Sequence, residues 1–221
     1  MKKDLNSYPL SLIISGTSGI GRSLISHRLN QGYKVVTTLK SSNKKKDFEN
    51  NSNLMFEIVD ISQKKDIRKL ISVFKMNSFK WSELIICTGT MHPIQTFENV
   101  NFSDWKKSFD INFLNQLEII NKILPFRTKN SRIILFSAGG GSTPVGFSAY
   151  NIAKVALIKA AEYLNAELKN CSVISVGPGW VKTKIHNQVL NSKNVNEAIF
   201  EETNKRLEEN SFVSFNTILS F

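Results

Sequence analysis

Only two cysteines, Cys87 and Cys171, occur among 221 residues, too few for a disulfide framework. Each sits in or beside a short apolar run, and both read as small buried hydrophobes in a reducing compartment. No stretch approaches the ~18 consecutive apolar residues that a membrane span needs, so no span is expected. The start, Met1-Lys2-Lys3-Asp4, is basic, but Asn6, Ser7 and Pro9 interrupt any signal-like run. A cytoplasmic protein is the expectation. Internal repeats and linker-like stretches are also missing, and this length suits one packed domain better than two, so residues 1–221 are expected to fold as one. Acidic residues are in deficit, 18 against 29 Lys and Arg, for a net charge of +11. The lysines are scattered in groups such as Lys44-Lys45-Lys46 and Lys106-Lys107, without the basic stripe and aromatic platforms of a nucleic-acid face. The charge therefore reads as a solvated surface that also attracts anions, with no nucleic-acid or membrane partner expected.

What is present is an alternation. Apolar runs at Leu10–Ile14, Lys34–Thr38, Leu54–Val59, Leu84–Cys87, Arg132–Phe136 and Ser172–Val176 lack polar interruption, as suits parallel strands covered on both faces. Between them lie helical patterns. Ile20–Gln31 is closed by Gly32, Trp105–Leu124 follows Ser103 as N-cap and stops at Pro125, and Tyr150–Leu168 is a third. Further helices are expected over Asn196–Asn210 and Phe212–Phe221. The alternation predicts an α/β fold, a Rossmann-like doubly wound parallel sheet of six or seven strands with helices on both faces. Ser41–Asn53 reads as a surface turn with a frayed helix. Gly139–Gly146, too rich in glycine for helix or strand, reads as a ligand loop at a strand's carboxyl end.

Several constellations carry chemistry. Ser15-Gly16-Thr17-Ser18-Gly19-Ile20-Gly21 directly follows the first strand and opens a helix, where glycines let backbone amides and the helix dipole approach a pyrophosphate. Tyr150 and Lys154 stand at i and i+4 on one helix face, so an ammonium can lie beside the phenol and bring its pKa toward neutral. Ser137 precedes the glycine-rich loop and can face Tyr150 across it. Asn112 lies mid-helix on an apolar stretch, and a structural amide is as good a reading of it as a catalytic one. Pro178-Gly179 breaks the chain after the sixth strand, at the same sheet edge as the first glycine turn.

Together with Asp60 after the third strand and Val181 and Thr183 after Pro178-Gly179, this ordered set resembles the short-chain dehydrogenase/reductase family over about residues 10 to 190. The resemblance implies an NAD(P)-dependent oxidoreductase acting on a small-molecule carbonyl or alcohol. It implies Tyr150 as acid or base and Lys154 as the group that lowers its pKa and holds the ribose hydroxyls. Ser137 would then bind the substrate carbonyl, and Asn112 would support a water linking Lys154 to solvent. Cofactor contacts would come from Ser15, Gly16, Ser18, Gly19, Ile20, Gly21, Asp60, Ile61, Gly89, Pro178, Gly179, Val181 and Thr183, besides Tyr150 and Lys154. The sequence departs from the family where Ser15 stands at its first glycine, with Gly16 expected to relieve the turn, and where Ile86-Cys87-Thr88-Gly89 replaces an Asn-Asn-Ala-Gly segment. It also shows no seventh strand after Val176. Leu39 occupies the position of an acidic residue in NAD-preferring members and is followed by Lys40, Ser41 and Ser42, so NADP(H) is expected over NAD(H), with Lys40 facing the 2′-phosphate. Trp180, Ile185 and His186 are candidates for the substrate pocket. Apolar residues around the helices of Asn112 and Tyr150 suggest a homodimer or homotetramer. A catalytically idle cofactor-binding regulator and a nucleotide-sugar lyase or epimerase are the alternatives.

Overall fold

The computed structural model describes residues 9–48, 50–138 and 143–219. Six strands form one parallel sheet: β1 (Leu10–Ile14), β2 (Lys34–Leu39), β3 (Leu54–Ile58), β4 (Trp81–Ile86), β5 (Arg127–Phe136) and β6 (Cys171–Val176). Their spatial order is β3-β2-β1-β4-β5-β6, so the direction of winding reverses between β1 and β4. That reversal opens a crevice at the carboxyl ends of β1 and β4, where α/β sheets bind ligands.

Alternation along the strands divides the core in two. Leu12, Ile14, Leu84, Ile86, Ile133 and Leu135 point to one face, under helices α2 (Lys64–Met76), α4 (Asn115–Ile123) and α5 (Ser148–Glu167). Ile13, Val35, Ile85 and Ile134 point to the other, under α1 (Gly19–Asn30) and α8 (Phe215–Leu219). Each such side chain, fully covered, stabilises the fold by about 1.5–3 kcal/mol before entropy is counted. No described helix is long and apolar enough to cross a membrane.

Several boundaries differ from the sequence expectation for identifiable reasons. β4 begins at Trp81 rather than Leu84, because Glu83, polar in the pattern, is buried and neutralised within the sheet. Glu83 accepts from Arg28 Nε at 2.8 Å, from Ser11 Oγ at 2.7 Å and from Arg132 Nε at 2.7 Å. The N-cap before Trp105 is Asn101, not Ser103: its side chain accepts from the Ser103 amide at 2.9 Å, and α3 (Phe102–Phe109) starts there. The expected continuous helix to Leu124 is broken by a π turn at Asp110–Leu114. Ser42–Asp47 forms a short 3₁₀ helix. The C-terminal region holds α6 (His186–Leu190), α7 (Glu197–Glu208) and α8, shorter than the Phe212–Phe221 helix expected. Residues 139–142 of the expected ligand loop and the last two of that helix lie outside the described residues.

Candidate active site

The carboxyl ends of β1, β4, β5 and β6 border a cavity of about 920 Å³. At its β1 side the glycine-rich turn is held tightly against β2. A Cβ on Gly16 would lie 2.1 Å from Thr37 Oγ1, and one on Gly21 would lie 2.6 Å from the Ser15 carbonyl oxygen, so neither position admits a side chain. The left-handed residue of the turn is Ser15 itself, with φ +67, whereas Gly16 was expected to take up the strain. Two contacts hold Ser15 there: its amide donates to Thr38 Oγ1 at 2.9 Å, and its hydroxyl pairs with Thr88 Oγ1 at 2.7 Å. Ser18 caps α1, accepting from the Gly21 amide at 2.9 Å. The first-turn amides of Gly19 and Ile20 have no intrahelical acceptor, and both residues line the cavity. A cradle of this kind, closed to Cβ atoms and edged by helix-terminal amides, fits the pyrophosphate of a dinucleotide.

Tyr150 and Lys154 stand on the first two turns of α5, and with Ser137 they line the same cavity. Lys154 is 4% exposed and donates to the carbonyls of Phe136 at 2.7 Å and Thr88 at 3.2 Å, which fixes it at the ends of β4 and β5. Its Nζ stands 5.8 Å from the centroid of the Tyr150 ring. The expectation that this cation lowers the phenol is not met: burial raises the Tyr150 hydroxyl to about 12, and the ammonium is aimed at backbone carbonyls. Burial brings Lys154 down to about 8. The Cys87 thiol, beside it on the cavity wall, is pushed well up by burial and stays protonated.

The linkage of Lys154 to folding has a definite sign. Below about pH 8 the lysine is charged in both folded and unfolded chains, whereas between about 8 and its ordinary 10.5 only the unfolded chain holds the proton. Stability attributable to this group therefore rises with pH across that window. Urea unfolding of wild type and Lys154→Met at pH 7 and pH 10 should diverge by ~2–3 kcal/mol in favour of wild type at the higher pH. Parallel behaviour of the two proteins would show that the buried ammonium carries no such penalty.

The π turn places Asn112, fully buried, behind Gly89 and Thr90 rather than on the cavity wall. Its Oδ1 accepts from the Thr90 amide at 2.9 Å, and its Nδ2 donates to the Thr90 carbonyl at 2.8 Å and to Ser108 Oγ at 3.2 Å. Gln116 Nε2 occupies the Asn112 carbonyl at 2.9 Å and also reaches the Thr88 carbonyl at 3.3 Å. Asn112 thus braces the loop after β4, and the water expected beside it would compete with Gln116 for the carbonyl.

Gly89, Pro178, Gly179, Val181 and Thr183 all line the cavity, as do Trp180, Ile185 and His186. A Cβ on Gly89 would lie 3.6 Å from Lys154 Nζ and 3.7 Å from Ile185 Cδ1, which shows how closely these segments converge. His186 stacks on Trp180 and its Nε2 lies 2.9 Å from the Val181 carbonyl. Lys40 and Asp60 meet outside the cavity, at the ends of β2 and β3, in a 3.1 Å ion pair. Burial would raise the Asp60 carboxyl, but hydrogen bonds from Ser62 and Lys40 outweigh it and hold it below its ordinary value. Ile61 is in the core under α2, away from the cavity. Sequence reasoning missed Gln188, whose Oε1 accepts from the Met91 amide at 2.8 Å across 97 positions, and it missed Gln116. Neither sits in a local pattern that would have drawn attention.

A model of the short chain dehydrogenase family matches residues 10–194. An uncharacterized oxidoreductase of Saccharomyces cerevisiae, YIR035C, is 26% identical over 179 residues, covering 78% of this chain and 70% of that protein. The crystal structure of that yeast protein superposes with a TM-score of 0.83 at 21% identity, covering 94% of this chain and 85% of that one. The structure titled KRED1-Pglu enzyme superposes with a TM-score of 0.87 at 17% identity, covering 96% of this chain and 92% of its own, a likeness of fold.

Proposed function

Since this chain belongs to the short-chain dehydrogenase family and is an NAD(P)-dependent oxidoreductase, we propose that it moves hydride between NADP(H) and a carbonyl or alcohol carbon, with Tyr150 as the proton-transfer group. The observation that carries this reading is the convergence of Ser137, Tyr150 and the buried, doubly anchored Lys154 on one cleft, opposite the Ser18–Gly21 turn. The nicotinamide cofactor supplies the hydride when bound. The chain's own part is placement and proton handling. Ser18, Gly19, Ile20 and Gly21 would hold the pyrophosphate, Lys154 and Gly89 the ribose, and Pro178, Gly179, Val181 and Thr183 the nicotinamide end. Ser15 and Gly16 hold the turn in shape. Ser137 orients the carbonyl by donating to its oxygen. A phenol raised to about 12 carries its proton at physiological pH, so in the reductive direction Tyr150 is the group that gives a proton to that oxygen. Asn112 and Gln116 fix the Thr88 and Thr90 backbone against which Lys154 is set.

The preference for NADPH rests on Lys40 and on the lack of a carboxylate at Leu39, which ends β2 buried. Lys40 is 78% exposed, and a surface ion pair such as the one to Asp60 contributes only about 0–1 kcal/mol, so a 2′-phosphate can take the ammonium over. Titration followed by nicotinamide fluorescence should show NADPH binding more tightly than NADH, and Lys40→Ala should weaken NADPH by ~5–10-fold while leaving NADH nearly unchanged. Tighter binding of NADH by the wild type would overturn the preference. Failure to bind either nucleotide would remove the oxidoreductase reading for this chain. The second chain of a homodimer would cover Leu114 at the end of the π turn and Ile152, Val155 and Tyr163 of α5, large apolar side chains that stand exposed here.

A further inference from the structure

Besides the two cores that cover the sheet, a third apolar cluster gathers at the mouth of the cleft. Ile94, Phe147 and Val189 are each at most 4% exposed, and Met91, Val195 and Ile199 pack against them. They come from four separate places, the loop after β4, the approach to α5, α6, and the start of α7. Four of them, Met91, Phe147, Val189 and Ile199, line the cavity beyond the catalytic groups. These residues cover no part of the sheet, so the wall they make is an apolar surface belonging to the cleft.

Several polar groups on this side are already engaged. Gln188 Oε1 accepts from the Met91 amide and from Thr90 Oγ1. Thr203 donates to the Ile199 carbonyl at 2.7 Å, and Glu202 is paired with Arg206 at 2.6 Å. Lys184 reaches the rim, but it is exposed, where solvent screens it. Among the described residues, the cavity wall also carries the Ser137 and Tyr150 hydroxyls, the hydroxyls of Thr17, Thr143 and Thr183, and the carboxamides of Asn151 and Gln188. Of these, the Ser137 and Tyr150 hydroxyls are the pair that would meet the carbonyl oxygen, and the wall of Met91, Phe147, Val189 and Ile199 is left to the substrate body. A carboxylate or a row of hydroxyls placed against Phe147, Val189 and Ile199 would lose water without gaining partners.

We propose that the substrate is an aldehyde or ketone with an uncharged, apolar aryl or branched alkyl body that packs on this wall, preferred over a carboxylate-bearing or polyhydroxylated counterpart; this rests on the oxidoreductase reading above. In the reaction the carbonyl carbon gains a hydride, from NADPH that is thereby oxidised to NADP⁺, and the oxygen gains the Tyr150 proton, which solvent restores. The test compares two near-isosteric probes, para-isopropylbenzaldehyde and para-carboxybenzaldehyde, with dihydroxyacetone as the polyol, by steady-state consumption of NADPH. The expected result is a kcat/KM for the isopropyl compound ~100-fold above that for the carboxylate. Ile199→Lys should narrow that ratio at least ~10-fold by giving the carboxylate a partner, with NADPH affinity, read separately by fluorescence, unchanged. Equal or inverted preference, or faster reduction of dihydroxyacetone, would overturn the apolar assignment and leave the oxidoreductase reading standing. No turnover of any probe despite NADPH binding would count against that reading itself, and against the inference with it.

Discussion

Tyr150→Phe is expected to lower kcat for carbonyl reduction by ~10³-fold while NADPH binding persists. The substitution deletes one hydroxyl and keeps the ring, so the packing over Lys154, whose Nζ stands 5.8 Å from the ring centroid, is preserved and no cavity forms. What is lost is the neutral acid that burial maintains, a phenol raised to about 12. The measurement is single-turnover oxidation of bound NADPH with a saturating carbonyl, run beside a thermal melt to show that the fold is intact. A variant retaining more than about a tenth of the wild-type rate would remove Tyr150 from proton transfer, because a positioned acid accounts for ~10²–10⁴-fold. The rest of the site would then need another donor, and the Ser137 hydroxyl on the same cavity wall is the first candidate.

The second large effect concerns stability and lies at the opposite end of the sheet. Glu83→Ala is expected to destabilise the protein by about 3–5 kcal/mol, since it removes the carboxylate that faces the buried Arg28 guanidinium. Arg28 and Glu83 are each 1% exposed, and Arg132 closes the group from β5 at 2.7 Å. For a domain of this size the loss corresponds to a fall in Tm of roughly 10 °C. Burial alone would raise the Glu83 carboxyl, but the Arg28 and Ser11 hydrogen bonds and the charges of Arg28 and Arg132 outweigh it and hold it below its ordinary value. The stability it contributes is therefore present above the unfolded value of 4.5 and is lost as pH falls through the lowered folded value. Urea unfolding at neutral pH provides the check. An unchanged midpoint would mean that the Glu83 carboxylate contributes nothing net to holding the buried Arg28.

The fold was largely legible because parallel strands and amphipathic helices write their periods into the chain locally. The six apolar runs, the cap at Gly32 and the glycine turn before α1 needed no knowledge of distant neighbours. Errors fell where a distant partner reverses a local preference. Glu83 interrupts an apolar run, yet it belongs to a strand because Arg28 and Arg132, 55 and 49 positions away, neutralise it. The π turn at Asp110–Leu114 breaks a helix that every local signal supports, because Asn112 bonds both backbone groups of Thr90. Ser15 occupies a left-handed position where its hydroxyl pairs with that of Thr88, 73 positions on.

The same division runs through the site. Residue types and their order sufficed for the strand–helix alternation, for the glycine-rich turn that opens the first helix and for setting Tyr150 and Lys154 on one helix face, since i and i+4 on a helix are neighbours whatever else the chain does. The protonation of that pair was decided only by the tertiary structure. Burial depends on the whole fold, and here it raises the phenol and lowers the ammonium, while the carbonyls of Phe136 and Thr88 turn Nζ toward the strand ends. The apolar wall of Met91, Phe147, Val189 and Ile199 was likewise beyond any local pattern, because its members meet only when four loops and helices converge over the ends of the sheet.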